Sequence, residues 1–441
     1  MYFKGRYFIY WMILIIIIII MAIKMQDLRS NTSDFVTPED YGYGKKYNNL
    51  DDNTKAINEA LQSGKEVRFR AKTYTVKIPS KNKFYALEAN GNSPRIRGVE
   101  GKTIIKLKLG KDKKKFINAK SGILVAWNTE ISGIIFDGGF NYKRHKANLS
   151  SMVNVGYNSK VYDCRFKNSK GSNLIISNSN VHVFKNVFSN FGDHAIYIIK
   201  EYTDARSSNI HIYNNEINEN NNYQNSLSNG EVRGAVKIRD NVENVYISNN
   251  KIHGDECILV SGKAVSQKSI PSKIHISSNR LFTTYSGVHL DTELIVDNGY
   301  RITNRDVIAK DNLIYLQNDN TSGISLSNSR GEFTKNYITS VSFQNTNTTG
   351  ITNFSTGDTE SSIVTGNSFI GMRVGIYSLG TGSVIKDNKF FNITEKGGCA
   401  IYSYYNNYIK KNKFINCLEQ VREKRKNWFY IYFNNYTRSY F

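Results

Sequence analysis

The chain has 441 residues, too many for one ordinary compact core but not for an elongated repeat protein. Its 32 Gly, 4 Pro and frequent β-branched and aromatic residues favour strands and exclude a disordered, low-complexity chain. A formal net charge of +22 makes polyanions natural partners, and it is equally the mark of a lysine-rich solvated surface.

Residues 1–24 open with Lys4 and Arg6 and then run apolar from Phe8 to Ile23. Such a run is just long enough to span a bilayer, and its flanking cations place the N-terminus in the cytoplasm and the remainder outside. No small-x-small cleavage site stands at its end, Met21-Ala22-Ile23-Lys24, so a transmembrane anchor and a signal peptide both stay open. Either exports the body to the periplasm or cell exterior. Export argues against nucleic acid as a partner, and no aromatic–basic binding module is visible. Residues 25–50 read as a polar linker, 51–417 as one repeat domain and 418–441 as a C-terminal cap or tail.

The repeat domain begins with a predicted helix. Asp51, Asp52 and Asn53 can cap it, Ala56, Ile57, Ala60 and Leu61 form its apolar face, and Gly64 ends it. Val67 to Val76 then alternates as a strand. Stacked coils expose their end strands to other chains, so a cap here is physically required. The lysine run Lys111 to Lys115 reads first as a solvated loop and second as a polyanion contact.

The repeat itself carries two boxes. An N-x-apolar corner recurs at Asn186, Asn215, Asn250, Asn279, Asn312, Asn336, Asn367, Asn388 and Asn412, with less regular copies at Ile134 and Cys164. Successive asparagines are roughly 21 to 35 residues apart, the range of a solenoid coil with loops. The second box is a small residue followed by alternating apolar positions. It appears at Ala195 to Ile198, Gly234 to Ile238, Cys257 to Val260, Gly287 to Leu290, Gly323 to Leu326 and Gly375 to Leu379. Inward Val, Ile, Leu and Phe of successive coils would pile into one core. Asparagine at the bend would bond the neighbouring coil as a ladder. The expected fold is all-β, a parallel β-helix of about eleven coils. The tail segment Leu418 to Arg425 suggests a short capping helix, and the aromatic run Trp428 to Phe441 would pack on the last coil or, alternatively, touch a membrane or a partner. Four cysteines, Cys164, Cys257, Cys399 and Cys417, show no metal spacing and read as buried thiols, although Cys399 and Cys417 lie about one coil apart.

The charges concentrate on a few coils. With Val236 and Ile238 inward, Lys237 and Arg239 point outward. The same register gives one outward column of Tyr197, Lys237, Leu259, His289 and Ser325. A second holds Ile199, Arg239, Ser261, Asp291 and Ser327. Asp193, His194, Asp255 and Glu256 precede these strands, and Glu201, Asp291 and Glu293 stand at or beyond their ends. For an anionic polysaccharide this is workable chemistry. A cation, Lys237 or Arg239, can neutralise a uronate carboxylate, while Lys237, His289 or Tyr197 abstracts the C5 proton. Catalytic candidates are therefore Lys237, Arg239, His289 and Asp291. Substrate-binding candidates are Tyr197, Asp193, His194, Asp255, Glu256 and Glu293. The carboxylates also offer a hydrolase pair or oxygen ligands for calcium, whose need the sequence leaves unknown. A non-catalytic glycan-binding or assembly factor is the remaining reading.

Asp40-Tyr41-Gly42 followed by Asp51-Asp52-Asn53-Thr54-Lys55-Ala56-Ile57-Asn58-Glu59-Ala60 resembles the N-terminal beginning of pectate-lyase-like right-handed β-helix proteins. There a similar segment forms a capping helix before the first coil. The resemblance implies a right-handed solenoid and polysaccharide lyase, epimerase or hydrolase chemistry. Gly254-Asp255-Glu256-Cys257-Ile258 looks like the G-D-D-C-I box of polygalacturonase-type hydrolases, but the following coil has Tyr285-Ser286-Gly287 where those enzymes carry G-H-G, and no R-x-K follows. Glu231 to Asn241 is similar to the lysine-bearing coil of alginate and chondroitin lyases. Their partner arginine would sit where this chain has Leu259 and Ser261.

Overall fold

The computed structural model describes residues 15–18, 21, 34–44, 50–78, 84–91, 93–108, 122–140, 151–200, 205–219, 234–263, 270–293, 304–327, 329–341, 347–354, 361–378, 382–404 and 407–423. Every strand pairing among them is parallel, in a 14-stranded and a 24-stranded sheet. Each coil lays one strand on a first face, formed by the smaller sheet, and then crosses a second and a third face, both formed by the larger one. The coil around residue 250 follows this path. Glu243–Ser248 lies on the first face, the chain turns at Asn249 and Asn250, and Lys251–Lys263 runs along the second and third.

Side-chain period two divides each strand into an inward and an outward set. Inward Val236, Ile238, Ile258, Val260, Val288 and Leu290 have no measurable exposure. Aromatic residues stack from coil to coil, as in Phe136–Phe166–Phe188 with ring centroids 5.2 and 4.7 Å apart.

The corner between first and second faces is the most regular part of the molecule. From Asn215 to Asn412, each buried or half-buried asparagine amide accepts at Oδ1 from the preceding asparagine, beginning with Asn186, and donates through Nδ2 to a backbone carbonyl. Asn279 is representative. Its Oδ1 accepts from Asn250 N and Nδ2 at 2.9 and 3.0 Å, and its Nδ2 donates to Ile247 O and Asn312 Oδ1 at 2.9 and 3.0 Å. Cys164 occupies the same position one coil earlier, where its N–H donates to Asn186 Oδ1. The residue before each ladder position is left-handed, from Asp163 through Lys185 and Asn249 to Lys411. A side chain costs about 1–2 kcal/mol in that conformation, so the satisfied amides must outweigh it in coil after coil.

Three expectations are adjusted. The described residues form thirteen coils rather than eleven, because the first two turn through Arg70–Lys72 and Gly98–Lys102 without asparagine. At the second of these, Thr103 Oγ1 takes over, accepting from Val99 N and donating to Arg70 O. The capping helix begins at Leu50, so Asp52 and Asn53 lie in its first turn rather than before it. Ala56, Ile57, Ala60 and Leu61 are its buried face, as the pattern required. Near the C-terminus Val421–Glu423 is a strand on the third face, paired with Cys399–Ser403, not a helix. Its outward Arg422 binds Glu419, which fits one more rung rather than a helical cap. The four cysteines are free thiols. The lysine run and Trp428 to Phe441 lie outside the described residues. So does most of the N-terminal apolar run, and among the described residues no helix is long and apolar enough to cross a membrane.

Candidate active site

Strand register on the third face brings the two charged columns together. Tyr197 pairs with Lys237, Lys237 with Leu259, Leu259 with His289 and His289 with Ser325. Beside them Ile199, Arg239, Ser261, Asp291 and Ser327 form the second column. Neighbouring rungs are about 4.8 Å apart, so Lys237 and His289 are two rungs apart across the short side chain of Leu259.

Here the solenoid departs from its pattern. In neighbouring coils the corner between second and third faces separates two strands, as with Leu313–Leu316 and Ser322–Ser327. Lys251–Lys263 and Arg280–Glu293 instead run through that corner unbroken. Their pairing shifts there: Gly254 pairs with Thr283 but Glu256 with Ser286, so Thr284 and Tyr285 of the second strand bulge opposite the single residue Asp255. The bulged strand is fastened to Asp255. Thr283 Oγ1 donates to the Asp255 carbonyl at 2.6 Å, and Thr284 donates its hydroxyl to the Asp255 carboxylate.

Beyond the bulge, Glu256 is 3% exposed and its Oε1 lies 2.6 Å from His289 Nδ1. An ionised carboxylate accepts only, so Nδ1 carries the proton and Nε2 is the nitrogen left to exchange one. Burial alone would lower the His289 pKa. The charge and hydrogen bond of Glu256, with Asp291 adding, overcome that and hold it above 6.5. Exposed Tyr285 stands edge-on, its ring 6.4 Å from the imidazole.

Arg239 is held by Asp240, Nε to Oδ2 at 3.2 Å, and Lys237 is half-buried between Tyr197 and Leu259. Burial pushes the Tyr197 phenol up, against an opposing pull from Arg239. Asp193 is half-exposed, with Oδ1 3.3 Å from His194 Nε2. His194 is turned into the interior, where its Nδ1 donates to the Gly234 carbonyl at 2.7 Å and ties two coils together. Glu293 is described through its backbone, opposite Lys263; its side chain, Glu201 and Glu231 to Arg233 lie outside the described residues.

One residue of the cluster does not stand out in the sequence. Glu219 follows the strand Glu216–Asn218, and its Oε2 accepts from Asp255 N at 2.8 Å. Burial, then the charges of Asp255 and Glu256, push its carboxyl up to about 8. The available signal was register: Asn218 pairs with His253, which sets Glu219 beside Gly254. Among the described residues no group of three or more His, Cys, Asp or Glu side chains is arranged to hold a metal ion.

No family model matches the chain, and no curated protein matches it in sequence. Solved structures do match. The tailspike protein of Escherichia coli bacteriophage HK620, in complex with a pentasaccharide, aligns with TM-score 0.62 at 13% identity, over 87% of this chain and 72% of that one. The A-module of the Azotobacter vinelandii mannuronan C-5 epimerase AlgE6 aligns with TM-score 0.57 at 13% identity, over 89% of this chain and all of the module. The Streptococcus pneumoniae surface protein and adhesin PfbA aligns with TM-score 0.51 at 14% identity, also over 89% and 100%. The chain is thus a right-handed parallel β-helix. At these identities the likeness concerns the fold.

Proposed function

We propose that this protein is an exported carbohydrate-active β-helix that removes the C5 proton of a uronate residue in an anionic polysaccharide. The observation that carries the reading is the His289–Glu256 contact, which fixes the imidazole with Nε2 as its proton-exchanging nitrogen. Lys237 and Arg239, on adjoining columns two rungs away, are suited to neutralise the uronate carboxylate. That neutralisation is what renders the C5 proton acidic. His289 Nε2 takes the proton, and its electron pair passes into the C5–carboxylate system. In β-elimination the pair then forms the C4–C5 double bond, the C4–O bond breaks, and the departing oxygen acquires a proton. In epimerisation a proton returns to the opposite face of C5. Two proteins sharing the fold, an epimerase of mannuronan and a tailspike with a bound pentasaccharide, support a glycan as the substrate class.

Hydrolysis by a carboxyl pair fits less well. It needs a protonated carboxyl turned to the substrate beside a carboxylate. Glu219 is the protonated candidate, but Oε2 faces the Asp255 N–H and Oε1 is buried. The test is incubation with a panel of uronate polymers. Unsaturated ends, detected by ultraviolet absorbance, or inverted C5 stereochemistry are expected. Reducing ends without unsaturation would favour hydrolysis, and retention of polymer without any product would favour a binding protein.

A further inference from the structure

We propose that Glu219 is a positioning residue: it anchors Asp255, opposite the bulge, and thereby aims Glu256 at His289. The inference rests on the reading of His289 as the proton-transfer group, but its structural content can be measured without turnover.

Four observations carry it. Glu219 sits at the end of the preceding coil, its N–H donating to the His253 carbonyl at 3.0 Å. Its Oε2 accepts the Asp255 N–H, the backbone donor of the residue that faces the bulge. A Cβ at position 254 would lie 2.4 Å from that same oxygen, so the carboxyl occupies the space that glycine leaves. Its Oε1 is buried and has no hydrogen-bond partner among the described residues, which is costly for a side chain placed only to fill space. From Asp255 the chain passes directly to Glu256 and its contact with His289. A slip of one residue in a strand turns each side chain to the opposite face. A slip of Asp255 against the bulge would therefore turn Glu256 away from the imidazole.

Charge agrees with this role. Asp255, Glu256 and Cys257 are the titratable groups facing Glu219, and the first two, after burial, favour its neutral form. A neutral Glu219 leaves Glu256 as the near negative charge sensed by His289, together with Asp291. Tyr285 is the aromatic neighbour on that imidazole.

The experiment is an NMR titration of the His289 imidazole in the full chain, for wild type, Glu219→Ala and Glu219→Gln. Glutamine keeps an acceptor for the Asp255 N–H and should retain the raised titration. Alanine should lower it by about one unit or more, since the Glu256 contact is lost while burial persists. If the alanine variant does not fold, Glu219→Asp, one methylene too short to reach Asp255 N, is read the same way. An unchanged His289 titration in the folded Ala or Asp variant would overturn the proposal. If turnover on uronates were absent while the titration moved as expected, the positioning role would stand and the proposed reaction would not.

Discussion

Two corners of the same solenoid behave in opposite ways. The ladder corner repeats one solution, a left-handed residue followed by asparagine, from Lys185-Asn186 to Lys411-Asn412. Its amides bond one another and the backbone, and little polar capacity is left for a ligand. The corner between the second and third faces is remade in two coils, where a bulge, three carboxyl groups and a histidine come together. Regularity there would have supplied another strand break. The departure instead places an ion pair beside a cationic column. In a repeat fold, stability resides in what recurs and chemistry in what interrupts it.

The sharpest way to break this contrast is to substitute at both corners. His289→Ala should lower turnover on a uronate polymer by about 10²–10⁴-fold with the thermal midpoint nearly unchanged. Asn279→Ala should do the reverse. It strips partners from Ile247 O, Asn250 N and Nδ2, and Asn312 Oδ1, for a loss of about 3 kcal/mol in chemical denaturation, with turnover of the folded fraction retained.

Acidity sharpens the comparison further. A general base must be unprotonated, so activity should rise with pH through an apparent pKa above 6.5, set by His289. Glu256→Gln removes the charge that overcomes burial, and the rising limb in a pH–rate profile should move below 6.5. The stability contribution of the pair is full below 6.5 and is lost as pH rises through the folded value. For Glu219, whose folded pKa of about 8 lies above the ordinary 4.5, the contribution is full below 4.5 and lost as pH rises through 8. Glu219→Gln cannot ionise. It should gain on wild type across that window, reaching on the order of 5 kcal/mol in urea titrations at the alkaline end. The smallest effect belongs to the exposed first face. Lys160→Ala, which removes a 2.9 Å bond to Glu130, should shift stability by less than about 1 kcal/mol.

Much of this was legible in the sequence, and the reasons are local. The nine asparagine corners, the inward Val236 and Ile238, and both outward columns follow from short-range period, and the register reproduces them. The first two coils were not legible because Thr103 and longer turns replace asparagine there. Val421–Glu423 is three residues among charges, and its pairing with Cys399–Ser403 identifies it as a strand. Glu219 required knowing which residue of one coil reaches Asp255 of the next, a relation that crosses 36 residues of chain. The inward turn of His194 likewise depends on the Gly234 carbonyl, 40 residues away.

The most direct measurement is solvent hydrogen exchange at C5 of a uronate polymer incubated with the protein in deuterated water, followed by NMR and by the absorbance of unsaturated ends. Deuterium at C5 or new unsaturation with wild type, abolished by His289→Ala in a protein of unchanged fold, is the predicted result. Neither signal from any uronate polymer, or signals that persist undiminished in His289→Ala, would contradict it.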